Sequence, residues 1–193
     1  KDLRFLQTEL SPEIKIATIS GRYFAMDRDR RWNRIKKVFD AIMHAIGDEA
    51  TSVSKAINTS YDMGVTDEFF VPTVLKGYTG VEDTKDGLLF LNFRADRARE
   101  ILSALLDPKF LQFDITDRPT FSAACGLVEY SDIHNKFIEP IFLSDGVNNT
   151  LGEWISKKEK TQYRLSETEK FPHVTFFFNG GVENIYPGET RCH

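Results

Sequence analysis

The sequence has little cysteine, little histidine and no long apolar run, and each shortage excludes a class of protein. Its two cysteines, Cys125 and Cys192, stand far apart and without metal-ligand spacing. That rules out a disulfide scaffold and fits a reducing cytosol, so a cytoplasmic protein is expected. The four histidines, His44, His134, His173 and His193, show no ligand spacing either. No apolar run approaches the roughly 20 residues of a membrane span, and the opening KDLRFLQTEL has no signal-peptide pattern, so no membrane role is expected. An excess of positive charge is also missing. The net charge is −4 and the pI is about 5.6, which argues against nucleic acid as a partner of the whole chain. Repeats and low-complexity tracts are absent. So is an initiator Met: the chain begins at Lys1, as a piece of something longer would.

What is present is ordinary globular composition, 41% apolar and 28% charged. The length of 193 residues suits one domain, or one domain and part of another. Basic residues gather between positions 21 and 37, GRYFAMDRDRRWNRIKK, which holds Arg22, Arg28, Arg30, Arg31, Arg34, Lys36 and Lys37. An even spread would put only about two there. Asp27 and Asp29 lie inside the cluster, so it reads as an arginine site with internal partners. Residues 14–19 read as a buried strand leading in. Trp32, Ile35, Val38, Phe39, Ile42, Met43 and Ile46 fall at helical spacing leading out, with Gly47 as the stop. Arginines in the loop of a strand–loop–helix unit are a common way to present an anion site.

The remaining elements follow from the same signals. Residues 2–10 read as the end of a helix, and 50–61 as a weaker helix stopped by Gly64. Residues 69–75 read as an edge strand because of Pro72. Residues 88–93 read as a second buried strand, followed by a helix through Ala98, Ile101, Leu102 and Leu105, which places Arg94 and Arg97 at a second strand-to-helix junction. Like-charged arginines gathered in this way repel unless an anion joins them. Residues 110–125 read as irregular, 127–130 as a short strand, and Ser131-Asp132 as the cap of a short helix. The stretch FLSDGVNN reads as a linker. Thr150 and Glu153 make a capping box, 162–165 a strand, and 169–178 a helix with Lys170 at its amino end, an electrostatically odd place for a cation.

Three ordered motifs, GRYFAMDRDRRWNR (21–34), LFLNFRADRAREI (89–101) and ETEKFPHVTFFFNGG (167–181), resemble the cofactor-independent phosphoglycerate mutases. The resemblance implies an isomerase that interconverts 3-phosphoglycerate and 2-phosphoglycerate in glycolysis through a phosphoserine. It implies an α/β fold: a three-layer sheet with flanking helices from the transferase domain (1–143), a linker (144–149), and a short piece of an alkaline-phosphatase-like α/β domain (150–193). Carried over by motif, Arg22, Arg28, Arg94 and Arg97 are substrate ligands, and Lys170 contacts the phosphoryl group. The family's serine nucleophile and the residues that hold two manganese ions are expected outside this stretch. The chain is therefore expected to be an internal fragment, a monomer that binds no metal and is inactive alone.

Blander readings stand beside these. The arginines could be structural, paired with Asp27, Asp29 and Asp96. Arg30, Arg31, Arg34, Lys36 and Lys37 read as a solvated helix face. His173 reads as packing, Trp32 and Trp154 as core or staple residues, and Cys125 as a small buried hydrophobe. A non-catalytic phosphate-binding module is the main alternative function. Nucleic-acid binding by residues 28–37 is weaker, for want of interleaved aromatics.

Overall fold

A computed structural model describes residues 2–193, with side chains from residue 5 onward. The strongest helical pattern in the sequence forms α3 (Trp32–His44), preceded by α1 (Asp2–Glu9) and α2 (Arg22–Ala25). After it come α4 (Val53–Asp62), α5 (Arg99–Leu106) and α6 (Leu151–Lys157). The strands are β1 (Thr18–Ile19), β2 (Asp48–Ala50), β3 (Thr73–Leu75), β4 (Gly87–Phe90), β5 (Ala123–Val128), β6 (Glu139–Phe142), β7 (Gln162–Leu165) and β8 (Glu189–Cys192). They form sheets of order β1-β3-β2, β4-β5-β6 and β7-β8. The fold is mixed α/β, with sheets flanked by helices. Among the described residues only β1–β3 is antiparallel, with Thr18 opposite Val74. The parallel pair β4–β5 aligns Leu88 with Ala124 and needs a crossover, which α5 supplies.

The core sits between α3 and α5. Ile35, Val38, Phe39 and Met43 on one helix meet Ile101 and Leu105 on the other, with Phe110 closing the end. Each such side chain contributes roughly 1.5–3 kcal/mol on burial. A second cluster centres on Tyr130, packed with Ala98, Leu102 and Ile138 and reached by Phe176 from the carboxyl-terminal part. The Tyr130 hydroxyl donates to Phe90 O and Asn92 O at 3.1 and 2.7 Å, pinning the chain where it leaves β4.

Several elements differ from their sequence reading. The strand expected over 14–19 shrinks to β1, and Ile14 is exposed, because pairing with β3 covers only two residues. β3 is a central strand, not an edge: Pro72 stands just before it and removes no ladder hydrogen bond. β4 is an edge strand of its sheet; Leu89, and Leu91 and Phe93 just beyond it, are exposed while Leu88 and Phe90 pack inward. α3 ends two residues before the expected Gly47, on Ala45 in the left-handed region (φ 53°). β5 starts within the stretch read as irregular, and β2, β6 and β8 are short strands without a clear alternating pattern. Residues 169–178 do coil, as a 3₁₀ turn (Thr168–Lys170) followed by a π-helical turn (His173–Phe177). Trp154 is exposed, with Lys158 lying 5.4 Å from its ring centre, whereas Trp32 packs edge-on against Phe110.

Candidate functional site

The first arginine junction begins at a close approach of two backbones. Gly21 N donates to Phe70 O at 2.8 Å, and a Cβ on Gly21 would stand 2.4 Å from Glu68 O. From there α2 delivers the chain to Met26 and the loop 27–31. Asp27, with its side chain 2% exposed, organises that loop. Its Oδ2 accepts from Asp29 N (3.0 Å) and Arg31 N (2.9 Å), and its Oδ1 accepts from Arg31 Nη1 (3.1 Å) and Arg34 Nη1 (3.5 Å). Between them Arg30 N donates to Glu100 Oε1 on α5 at 2.8 Å. Arg30 takes a left-handed backbone, φ 58°, at a cost of roughly 1–2 kcal/mol for a residue with a Cβ. Three successive N–H groups are thus satisfied by two carboxylates of the protein itself. An anion at this loop must be held by side chains.

Arg31 and Arg34 are accordingly not a solvated face. Arg31 bridges Asp27, Asp29 and Glu169, and the Arg34 guanidinium stacks 3.6 Å over Tyr23. Burial works against ionised Asp27, but the N–H groups of Arg31 and Asp29 and the Arg31 guanidinium hold its pKa below the usual value. Glu100 goes the other way. Burial, then the negative charges of Asp27 and Asp29, push it up to about 7, only partly offset by Arg30 N–H.

The second junction is built around Asp96. This carboxylate, 2% exposed, pairs with Arg28 Nη1 at 2.5 Å and Arg94 Nε at 2.8 Å. Burial opposes its charge, and hydrogen bonds from Arg94 and Arg28 more than compensate, so its pKa is lowered. Arg97 Nη1 donates to Met26 O at 2.7 Å. Among the described residues no carboxylate lies within ion-pair distance of Arg97. Burial first, and then the charges of Arg28 and Arg94, depress its pKa, partly offset at longer range by Asp96 and Glu169. An arginine pressed against two others without a carboxylate of its own is the arrangement an anion would relieve.

His173 joins from the carboxyl-terminal part, its Nε2 3.4 Å from Arg94 Nη2. Burial, then Arg28 and Arg94, lower its pKa, so the neutral ring can accept from the guanidinium, and its buried Nδ1 has no partner. Sequence reasoning assigned it to packing. It does touch Phe177, but it also faces the arginines. Lys170, half-exposed, is paired loosely with Glu167 at 3.6 Å, and its charge is felt at His173. The structure therefore brings Arg28, Arg94 and Arg97 together, with Lys170 in electrostatic range. Arg22 is placed elsewhere, exposed on α2 beside Glu68 at 3.2 Å. Two residues that shape the site, Glu100 and Glu169, were missed. The signal for Glu100 was its spacing, one helical turn after Asp96 in RADRARE.

Other features do not compete. A cavity of about 660 Å³ beside α4, β2 and β3, lined by Ser60, Met63 and Lys76 among others, contains none of these arginines. Another of about 530 Å³, bordered by Phe93, Tyr130, Phe176 and Glu183, lies against the second junction without including them. The segment carrying Lys170 is tied down by Arg31–Glu169 (3.4 Å), Arg99–Glu183 (2.7 Å) and Arg99 over the Phe176 ring (4.7 Å). Among the described residues there is no group of three or more His, Cys, Asp or Glu able to hold a metal.

Fold and site define an α/β chain that gathers Arg28, Arg94 and Arg97 where two strand-to-helix junctions meet. Residues 1–132 match the family described as BPG-independent PGAM N-terminus. The 2,3-bisphosphoglycerate-independent phosphoglycerate mutase of Roseobacter denitrificans is 48% identical over 186 residues, which is 96% of this chain and 37% of that protein. Its counterpart from Ruegeria pomeroyi is 47% identical over the same shares. A crystal structure of Leishmania mexicana phosphoglycerate mutase at low cobalt concentration superposes with a TM-score of 0.80 at 26% identity, covering 98% of this chain and 36% of that one. The chain belongs to the BPG-independent phosphoglycerate mutase family. It spans a little over a third of the length of the curated relatives it matches.

Proposed function

We propose that the full-length protein to which this chain belongs interconverts 3-phosphoglycerate and 2-phosphoglycerate in glycolysis, in the cytoplasm and as a monomer. The observation that carries this reading is Arg97, half-buried beside Arg28 and Arg94 with no carboxylate of the described residues in ion-pair range. A phosphoglycerate offers a carboxylate and a phosphate, both matched by the planar guanidinium fork. Arg28, Arg94 and Arg97 would hold the glycerate between two phosphoryl transfers, so that it reorients without leaving. Arg22 would be a fourth arginine ligand, and Lys170 would contact the phosphoryl group.

In this reading residues 1–143 are the later part of a substrate-gripping transferase domain, 144–149 a linker, and 150–193 a piece of a phosphatase-like domain. The nucleophilic serine lies outside the chain. A pair of manganese ions belongs to the same reading, but the described residues do not fit such a site, so no step through metal is assigned to them. Among the described residues no helix is long and apolar enough to cross a membrane.

The test is mutase activity of the purified full-length protein supplied with manganese. Absence of interconversion would end the proposal. Turnover by this chain alone would refute the placing of the nucleophile outside it.

A further inference from the structure

The two junctions are laced together by alternate residues of one loop. Met26 O accepts from Arg97, Arg28 pairs with Asp96, and Arg30 N donates to Glu100. The first two contacts involve the proposed ligands themselves. The third does not: Glu100 is buried on α5 and its side chain meets the loop at Arg30 N and at the Asp27 carboxylate. It acts where the backbone most needs holding, at left-handed Arg30, two residues after Arg28.

We propose that Glu100 is a positioning residue for the phosphoglycerate grip: by accepting from Arg30 N it fixes the loop 27–31 so that Arg28 and Arg97 point at one ligand. This rests on the function proposed above for the ligand's identity, though not for the loop geometry. The charged groups that bear most on Glu100, Asp27 and Asp29, lie on that loop. Asp27 and Asp29 oppose its ionisation, and Arg31 and Arg34 neutralise Asp27. With its proton, Glu100 keeps a carbonyl acceptor for Arg30 N and presents a neutral face to Asp27. Without it, two carboxylates share a buried space and the loop loosens.

The experiment uses the full-length protein with two variants. Glu100→Ala removes the acceptor, while Glu100→Gln keeps a carbonyl oxygen and stays neutral at every pH. Glu100→Ala is expected to raise KM for 3-phosphoglycerate about tenfold with a much smaller change in kcat, the signature of lost uniform binding. It should also speed hydrogen exchange in the peptide containing residues 26–31. Glu100→Gln should keep wild-type exchange and abolish the rise of KM between about pH 6 and 8 that the wild-type acid produces. Unchanged KM and exchange in Glu100→Ala, or equal damage in both variants, would overturn the proposal. Were the wild type to lack mutase activity, the function reading would fall, and exchange alone would decide: deprotection in Glu100→Ala but not in Glu100→Gln supports the positioning role, and equal exchange in both refutes it.

Discussion

Replacing Asp96 by Ala tests whether one buried carboxylate holds the arginine site together. Its side chain is 2% exposed and that of its partner Arg28 is 7% exposed, at 2.5 Å. Arg28 Nε already lacks a partner, so the substitution leaves a guanidinium in the interior with no counter-ion. Breaking a buried pair from one side costs about 3–5 kcal/mol. Loss of the contact with half-exposed Arg94 adds less than about 1 kcal/mol. A total near 4 kcal/mol is a large part of the roughly 5–15 kcal/mol that keeps a domain folded. With a urea slope of about 2 kcal/mol per molar, the midpoint should fall by about 2 M. Urea unfolding followed by circular dichroism measures it. The double variant Asp96→Leu with Arg28→Met should recover most of the loss, because the cost lies in the orphaned charge. A loss below about 1 kcal/mol for Asp96→Ala would show that water reaches Arg28 freely and refute the buried-pair reasoning.

Glu100 predicts a pH dependence of stability. Its carboxyl keeps in the fold, up to about pH 7, a proton that the unfolded chain releases near 4.5. Its contribution is therefore complete below about pH 4.5 and is lost by about pH 7, up to about 3 kcal/mol, and Glu100→Gln should flatten that slope. Asp27 and Asp96, with lowered pKa values, act in the opposite sense and lose their contribution on acidification. Gly126→Ala would place a Cβ 2.4 Å from Tyr130 Cε2 and 3.1 Å from Ile138 Cδ1; it should cost about 1–3 kcal/mol, read as a lower thermal midpoint. Thr150→Ala removes the cap of α6, where Thr150 Oγ1 accepts from Glu153 N at 3.3 Å, and should cost about 1 kcal/mol in the same assay.

The parts legible in the sequence were those written as period or cap. α3, α4 and α5 followed from apolar spacing, and the start of α6 from Thr150 and Glu153. Both arginine junctions were visible because Arg28, Arg94 and Arg97 sit beside breaks in that spacing. What escaped depends on contacts distant in sequence. β2, β6 and β8 are three or four residues long, and half-exposed in part, so pairing rather than pattern makes them strands. The central place of β3 was hidden because Pro72 looked like an edge signal when it stands one residue outside the ladder. Glu100 looked like one more charge on a helix. Only the fold brings it to Arg30, 70 residues away. His173 looked apolar by association with the phenylalanines around it, while the approach of Arg94 is tertiary.

The central claim is that Arg97, with no carboxylate of the described residues in ion-pair range, awaits the substrate's charge. Isothermal titration of 3-phosphoglycerate into the full-length protein, wild type against Arg97→Ala, addresses it most directly. The loss of about 1.5–3 kcal/mol of charge-assisted hydrogen bonding should weaken binding roughly 10- to 150-fold, with the urea midpoint little changed. An affinity equal to wild type in a folded Arg97→Ala protein would contradict the account.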